Sequence, residues 1–156
     1  MSGNIGQGGQ NTAMTLVAGT SNVTITQAGF SATIGTSAVR TIALTIDGGG
    51  VTPGTGMKGF FRFSYPCTIK GVYLMADQVG SVVIDIWKVP FASFPPTVAN
   101  TITASDLPTI SSAQSYSDTA LTGWTTTVAA GDVIAVNVNS ITTITRLNVD
   151  IVVQTT

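Results

Sequence analysis

Apolar and polar residues alternate strictly in parts of the chain beyond Val39, and this pattern sets the first structural expectation. In residues 40–47 the side chains of Ile42, Leu44 and Ile46 fall on one face. Successive side chains of a strand point to opposite faces, so a period of two predicts a half-buried β-strand. Residues 144–153 repeat the pattern, with Leu147, Val149, Ile151 and Val153 predicted to point inward and Arg146, Asn148 and Asp150 outward.

The segments between these two strands follow the same rule with more variation. Residues 67–76 alternate loosely, and residues 81–89 are apolar on both faces apart from Asp85 and Lys88, which is typical of a central strand. Further strands are predicted at 100–105, 119–128 and 132–140, and a serine-rich loop is predicted to run to Ser117. In residues 57–65 we expect Met57, Phe61, Phe63 and Tyr65 on one face, and Lys58 and Arg62 on the other.

No segment shows the 3.6-residue period of an amphipathic helix of three turns. About eight short strands that follow one another without intervening helices predict an all-β fold. We therefore expect an antiparallel β-sandwich or jelly-roll-like domain at residues 41–156.

The N-terminal quarter of the chain has a different composition. Arg40 is the first charged residue, and all thirteen charges lie within 40–150. Residues 1–13 are rich in Gly, Gln, Asn and Ser, which is typical of a flexible lead, and β-prone runs follow at 14–19, 22–27 and 30–35. This composition predicts an uncharged, extended N-terminal arm at residues 1–40. We expect no secretory leader, because residues 1–10 have no basic region followed by an apolar run, and no run of eighteen apolar residues predicts a membrane span.

Charge and missing residue types narrow the functional classes. Six Lys and Arg against seven acids give a net charge of -1, whereas a nucleic-acid-binding protein normally carries a basic excess. The chain has no His, and all seven acids are Asp, so Ser-His-Asp, Cys-His and His-zinc sites cannot be built within it. We expect no enzyme activity, no catalytic residues, no cofactor and no metal. Only 8% of residues are charged, and 26 Thr and 13 Ser supply the polar surface instead.

The single cysteine excludes an intrachain disulfide framework. Cys67 has no histidine partner anywhere in the sequence. A free cysteine without an activating base behaves as a small apolar residue. We expect it to be buried or half-buried.

The glycine-rich stretch at residues 46–56 contains one acid, Asp47, and five glycines. A phosphate-binding loop would need a helix after its glycines, and here a strand is predicted to follow at Met57. Calcium is an alternative, because Asp47 and glycine carbonyls could ligate it, although one carboxylate is a poor donor set. The preferred interpretation is a turn between two strands, in which the glycines permit positive φ.

The Asp residues offer one catalytic alternative. Asp85 and Asp150 lie mid-strand, and two facing carboxylates could act as the acids of a glycosidase. A strand Asp more often pairs with a cross-strand cation, and Lys88, Arg62 and Arg146 are present. Asp77 and Asp132 lie in turn-like contexts, where we expect their carboxylates to accept hydrogen bonds from backbone N–H groups.

Four aromatic residues offer a binding alternative. Trp87, Trp124, Phe91 and Phe94 could form a platform on which a sugar stacks. Aromatic residues of β proteins are more often part of the core, or clamp a long loop. The exposure of Trp87 is left open by the pattern, because its face also carries Val83, Asp85 and Val89.

A set of short motifs resembles a domain that recurs in structural proteins of tailed bacteriophages. The likeness covers residues 42–153. The matching positions are Asp47 with Gly48, Gly49 and Gly50; Lys58-Gly59; Ala76-Asp77-Gln78; Gly80-Ser81; Asp85; Trp87-Lys88; Phe94-Pro95-Pro96-Thr97; Leu121-Thr122-Gly123-Trp124; and Gly131-Asp132. The resemblance implies a structural role in a virion and supplies no catalytic residues.

The remainder of the chain bears on where in a virion such a domain would lie. A tail fibre usually has a long repetitive or coiled-coil shaft, and the forty residues before this domain contain no heptads and no collagen-like repeat. We expect a capsid decoration (cement) protein on the outer surface of the head. Its partners would be the major capsid protein and copies of itself, as a homotrimer by analogy with similar phage proteins. The alternative is a receptor- or glycan-binding module of a tail fibre; neither nucleic acid nor a membrane is expected as a partner.

Overall fold

The computed structural model describes residues 23–27, 30–34 and 37–156, and the chain divides into one unit at residues 1–36 and a second at residues 37–156. In the first unit, strand β1 (Val23–Gln27) pairs in antiparallel register with β2 (Phe30–Ile34). These strands lie within the β-prone runs predicted at 22–27 and 30–35. The run predicted at 14–19 lies outside the described residues.

The second unit is built from seven strands that form one antiparallel sheet. In chain order they are β3 (Val39–Asp47), β4 (Gly56–Arg62), β5 (Cys67–Pro90), β6 (Thr109–Asp118), β7 (Thr127–Val128), β8 (Asp132–Thr142) and β9 (Arg146–Thr155). The only helices in the described residues are two 3₁₀ turns, Phe91–Ser93 and Val98–Asn100. The all-β prediction is confirmed. No helix among the described residues is long and apolar enough to span a membrane.

Strand β5 organises the sheet because it is 24 residues long and belongs to both of its halves. Its first half, residues 67–76, pairs with β9, and its second half, residues 81–90, pairs with β8. The complete order is β3-β9-β5-β8-β4, with β6 and β7 also paired to β5. Register shifts along β5 mark bulges, which bend a strand and increase its twist. The sheet therefore curls on itself and encloses one core.

The core consists of the inward positions of this curled sheet. Leu147, Val149, Ile151 and Val153 are all buried, as the alternation of β9 predicted. They pack with aliphatic residues of β5 and β8, including Val72, Leu74, Ile84, Ile86, Ile134 and Val136. Ile46 is buried and Ile42 and Leu44 pack against the same cluster, so the predicted inner face of β3 is also confirmed.

Five local predictions are wrong. Residues 67–76 and 81–89 are one continuous strand rather than two. The serine-rich segment is strand β6, because its backbone groups find partners on β5. Residues 100–105 form no strand beyond a single bridge between Thr101 and Trp87, and only two residues of 119–128 are extended. Met57 is exposed, since a register shift between Met57 and Gly59 takes it off the face that Phe61 and Phe63 bury.

The chain enters and leaves this domain at one corner. Ala38 and Thr155 are joined by two backbone-linked hydrogen bonds, from Ala38 N to Thr155 Oγ1 (2.8 Å) and from Thr155 N to Ala38 O (2.9 Å). Strands β3 and β9 then run antiparallel as far as the pair Asp47 and Arg146. The glycine-rich connection and the β8–β9 turn lie at the far end of this ladder, where Gly48 N donates to Thr145 O.

Candidate functional site

The four aromatic residues considered as a sugar platform do not form one surface. Trp124 is buried in the core, and its indole N–H donates to the carbonyl oxygen of Asp106 at 2.9 Å. Trp87 is half-buried beside Asp85. Only Phe91 and Phe94 are exposed, at 66% and 38%. The preferred interpretation of a core aromatic is therefore confirmed for Trp124, and Trp87, whose exposure the sequence left open, is half-buried.

Phe91 and Phe94 instead share a surface with Phe60, a residue that the pattern analysis did not single out. The rings of Phe60 and Phe94 are tilted by 58° with their centroids 4.8 Å apart. Together with Phe61, Arg62 and Val133 these three residues line an open groove of about 290 Å³, here called the aromatic patch. The signal was present in the sequence, because Phe60 alternates with Lys58 and Arg62 and so belongs to the outward face of β4.

Asp85 is buried, and three side-chain donors surround its carboxylate. Trp87 Nε1 donates at 2.6 Å to Oδ2, while the hydroxyls of Thr101 and Thr103 donate to Oδ1 at 2.6 and 2.9 Å. Its cross-strand neighbour is Asn137, so the predicted pairing with a cation is wrong. The network ties the segment after Val98–Asn100 to the second half of β5, beside the single bridge between Thr101 and Trp87.

Asp85 and Asp150 are not a facing pair. Asp150 lies opposite Tyr73 on the first half of β5, whereas Asp85 lies on the second half, opposite β8. Each carboxylate also has its own hydrogen-bond donors, since Asn148 Nδ2 donates to Asp150. This separation is incompatible with the two-carboxylate arrangement of a glycosidase.

The glycine-rich stretch connects β3 to β4. Gly49 and Gly50 have φ of 66° and 87°, and a Cβ at Gly48 would lie 1.8 Å from the carbonyl oxygen of Val51. A side chain at Gly48 would clash with this backbone oxygen, and the positive φ of Gly49 and Gly50 favours glycine. The Asp47 carboxylate accepts from Gly49 N and from the guanidinium of Arg146, so its oxygens already hold donors rather than presenting themselves to a cation. The predicted turn between two strands is confirmed.

Asp77 and Asp132 accept hydrogen bonds from backbone N–H groups, as expected. Asp132 accepts from Ala129 N at 2.9 Å and lies 3.8 Å from the Lys88 ammonium. Asp77 differs from the prediction in location, because it lies within β5 and reaches a remote turn, where Thr145 N and Arg146 N donate to it. A hydrogen bond from the Thr145 hydroxyl contributes most, and with these two backbone bonds it holds the pKa of Asp77 below its ordinary value of 3.8.

Cys67 is buried at the start of β5, as predicted. Burial raises the pKa of its thiol, and the nearby Asp132 carboxylate acts in the same direction while Lys88 opposes it. A thiol in this setting is a poor nucleophile. Cys67 is a packing residue.

A second groove lies on the outward face of the sheet where β5 runs between β9 and β6. Tyr73 stands opposite Asp150 on one side and Ser117 on the other, and Met75 stands between Asn148 and Ser115 in the next row. The space has a volume of about 440 Å³ and is lined by Tyr73, Met75, Ser115, Ser117 and Asp150, together with Leu74 and Tyr116. We call it the Tyr73 groove. This groove could not be predicted from the sequence, because its residues come from three strands and the sequence does not show how these strands are aligned.

Among the described residues, no three Cys or Asp side chains gather in a way that could hold a metal ion. Comparison of the chain with known protein families, with characterised proteins and with solved structures finds no match.

Proposed function

We propose that this protein is a structural component of a bacteriophage virion, a capsid decoration protein that binds the outside of the head lattice. Attachment is through the N-terminal arm at residues 1–40 and through contacts between copies, with the major capsid protein as partner. The role is structural and not enzymatic. The proposal rests on two observations: the sheet of residues 37–156 has unpaired edges, and the N-terminal arm is uncharged and β-prone in sequence.

Two of the open edges of residues 37–156 lie on β3 and β4. Within residues 37–156, β3 pairs only with β9 and β4 pairs only with β8, so each offers one unpaired row of backbone N–H and C=O groups. Such an edge is a template for a strand from another chain. The first unit supplies strands of the required kind, since β1 and β2 contain no charged residue.

The phage-like motifs support the proposal through their structural positions. Asp47 and its glycines form the β3–β4 turn, Asp85 and Trp87 form the buried network, and Gly131-Asp132 form the turn before β8. These residues determine the path of the chain, so the resemblance rests on positions that specify a fold. A chain in which only 8% of residues are charged also suits extensive contact, because few ions must be desolvated on assembly.

Gold-labelled antibody against this protein, applied to intact particles and viewed by electron microscopy, tests the proposal. We expect label over the whole head, and light scattering of the purified protein should give a homotrimer. Label confined to tail tips would replace this function with the receptor- or glycan-binding alternative. Particles that carry no label would contradict both.

A further inference from the structure

We propose that the Tyr73 groove binds a neutral saccharide through a pyranose ring that presents two neighbouring hydroxyls. The inference goes beyond the decoration role and does not depend on where the protein lies in a virion. It rests on three features of the groove: an exposed aromatic ring, a carboxylate with acceptor capacity left over, and small hydroxyl-bearing neighbours.

Tyr73 supplies a surface for the apolar face of a sugar. Its side chain is 38% exposed, although it lies in the middle of a sheet. Ring atom Cε2 lies 3.4 Å from the position that a Cβ at Gly71 would occupy. The missing side chain at Gly71 therefore leaves room for the ring to lie along the strand, where C–H groups of a ligand can stack on it.

Asp150 supplies a fixed acceptor beside this ring. Asn148 Nδ2 donates to Asp150 Oδ1, and Asn148 Oδ1 accepts from the Thr45 hydroxyl at 3.0 Å. This chain across β3 and β9 orients the carboxylate. Both salt bridges of residues 37–156 involve other acids, so Asp150 has no cationic partner there. An ionised carboxylate has about four acceptor sites, and those left free can receive two sugar hydroxyls as charge-assisted hydrogen bonds.

The remaining lining residues complete a mixed polar and apolar site. Ser115 and Ser117 are exposed on β6, and each hydroxyl can donate and accept. Met75 adds apolar area next to Tyr73. A volume of about 440 Å³ falls within the range of roughly 300–1,000 Å³ that is typical of small-ligand sites.

The same features disfavour other ligands. An anionic sugar or a phosphate would meet the negative charge of Asp150 without a cation to offset it. A divalent metal would find one carboxylate where it needs several oxygen ligands. A quaternary amine is usually held by several exposed aromatic faces. Of the two tyrosines that line this groove, Tyr73 is exposed and Tyr116 packs partly against the core. A neutral ligand with many hydroxyls fits best.

The test begins with purified full-length protein on an array of neutral, sialylated and sulfated glycans, with choline as a separate cationic probe in solution. We expect binding to neutral glycans only. The strongest neutral oligosaccharide is then titrated calorimetrically into three variants. Tyr73→Ala should weaken binding at least about tenfold, Tyr73→Phe should stay within about threefold, and Asp150→Asn should weaken it about tenfold.

Phe91→Ala is the matched control, because it removes an exposed aromatic from the aromatic patch instead. Its affinity should equal that of the unchanged protein, and all variants should melt at similar temperatures. The inference is overturned if the protein binds no saccharide, or if it binds only choline or anionic glycans. It is also overturned if Tyr73→Ala leaves the affinity unchanged, or if Phe91→Ala abolishes binding. None of these outcomes changes the result of labelling particles, so the two proposals fail separately.

Discussion

Trp87 Nε1 lies 2.6 Å from Asp85 Oδ2, and the two residues are separated by one position on the same strand. The other carboxylate oxygen is shared by two threonine hydroxyls from the segment after Val98–Asn100. A buried acid is thus satisfied by neutral donors alone. Its role is to bind a loop to the sheet.

Asp85→Asn should lower the free energy of unfolding by about 2–3 kcal/mol. The asparagine carbonyl can keep the threonine hydroxyls, but its NH₂ group would then face the Trp87 N–H, leaving a buried donor unsatisfied. Asp150→Asn is the matched control, because Asp150 is only half-buried, and it should cost under about 0.5 kcal/mol. Urea unfolding at neutral pH measures both. If the two substitutions lowered the free energy of unfolding equally, the hydrogen-bond network around Asp85 would be contradicted.

Gly80→Ala should destabilise the domain by about 2–3 kcal/mol. Gly80 is buried, and a Cβ there would lie 2.6 Å from both Ile144 Cγ1 and the carbonyl oxygen of Thr142. At Gly54 the nearest atom would be Lys58 Nζ at 3.9 Å, so Gly54→Ala should change stability by under about 0.5 kcal/mol. The melting temperatures of the two variants are compared. An unchanged melting temperature for Gly80→Ala would mean that the β8–β9 turn does not pack against Gly80.

Asp77 predicts a pH dependence of stability. The Thr145 hydroxyl and backbone N–H groups depress the pKa of Asp77 below 3.8 in the folded state. The ionised carboxylate therefore adds stability above pH 3.8, and that contribution disappears as the pH falls through the folded-state pKa. The difference in urea midpoint between the unchanged protein and Asp77→Asn should be present at pH 7 and shrink below pH 3.8.

Thr145→Val tests the cause of that shift. It removes the donor that contributes most, so the pKa of Asp77, followed by NMR of its carboxyl carbon, should rise toward 3.8. An unchanged pKa would show that the backbone N–H groups suffice. Asp47 provides a comparison within the same variant, because its pKa is lowered mainly by the Gly49 N–H and Arg146, while the Asp77 carboxylate raises it.

The Cys67 thiol should be unreactive in the folded protein. It is 1% exposed, and burial raises its pKa. At pH 8 an aromatic disulfide reagent should modify it only after urea is added, with one thiol released per chain. Cys67→Ser should release none. Rapid modification without urea would mean that the start of β5 opens readily.

Removal of residues 1–36 should leave a folded domain that no longer attaches to heads. The shortened protein keeps the hydrogen bonds between Ala38 and Thr155. The domain at residues 37–156 should therefore melt at the same temperature in the shortened protein as in the full chain. Removal of residues 1–42 is the control, because it takes away the first part of the β3–β9 ladder and should lower the melting temperature. Wild-type occupancy of heads by the first variant would exclude the arm as the anchor.

The strands that the sequence predicted best are those whose alternation is set by burial alone. In β9 every second residue from Leu147 to Val153 enters the core, so the pattern and the structure agree. Strand β6 was missed, because its serines have low strand propensity and its extended form depends on pairing with β5. Residues 119–128 were wrongly predicted as a strand, because local hydrogen bonds turn the chain there. The Asp118 carboxylate accepts from Ala120 N and Leu121 N there, and Leu121 adopts a positive φ of 49°.

The candidate sites are formed by residues that lie far apart in the sequence, so their contacts could not be predicted from it. Phe60 could be recognised as an aromatic residue on a polar face, whereas its stacking on Phe94 could not. The opposition of Tyr73 and Asp150 follows from the register of β5 against β9. That register is fixed by which aliphatic residues meet in the core, and a single sequence does not state it.

The shared corner of Ala38 and Thr155 has a mechanical consequence. Tension applied between residues 37 and 156 would pull β3 and β9 apart from one end, so their hydrogen bonds would be loaded one after another. A ladder that is unzipped in this way yields at low force, whereas one that is sheared along its length resists with all its bonds at once. Residues 37–156 should therefore withstand a larger force applied through the edges of the sheet than one applied through their two ends.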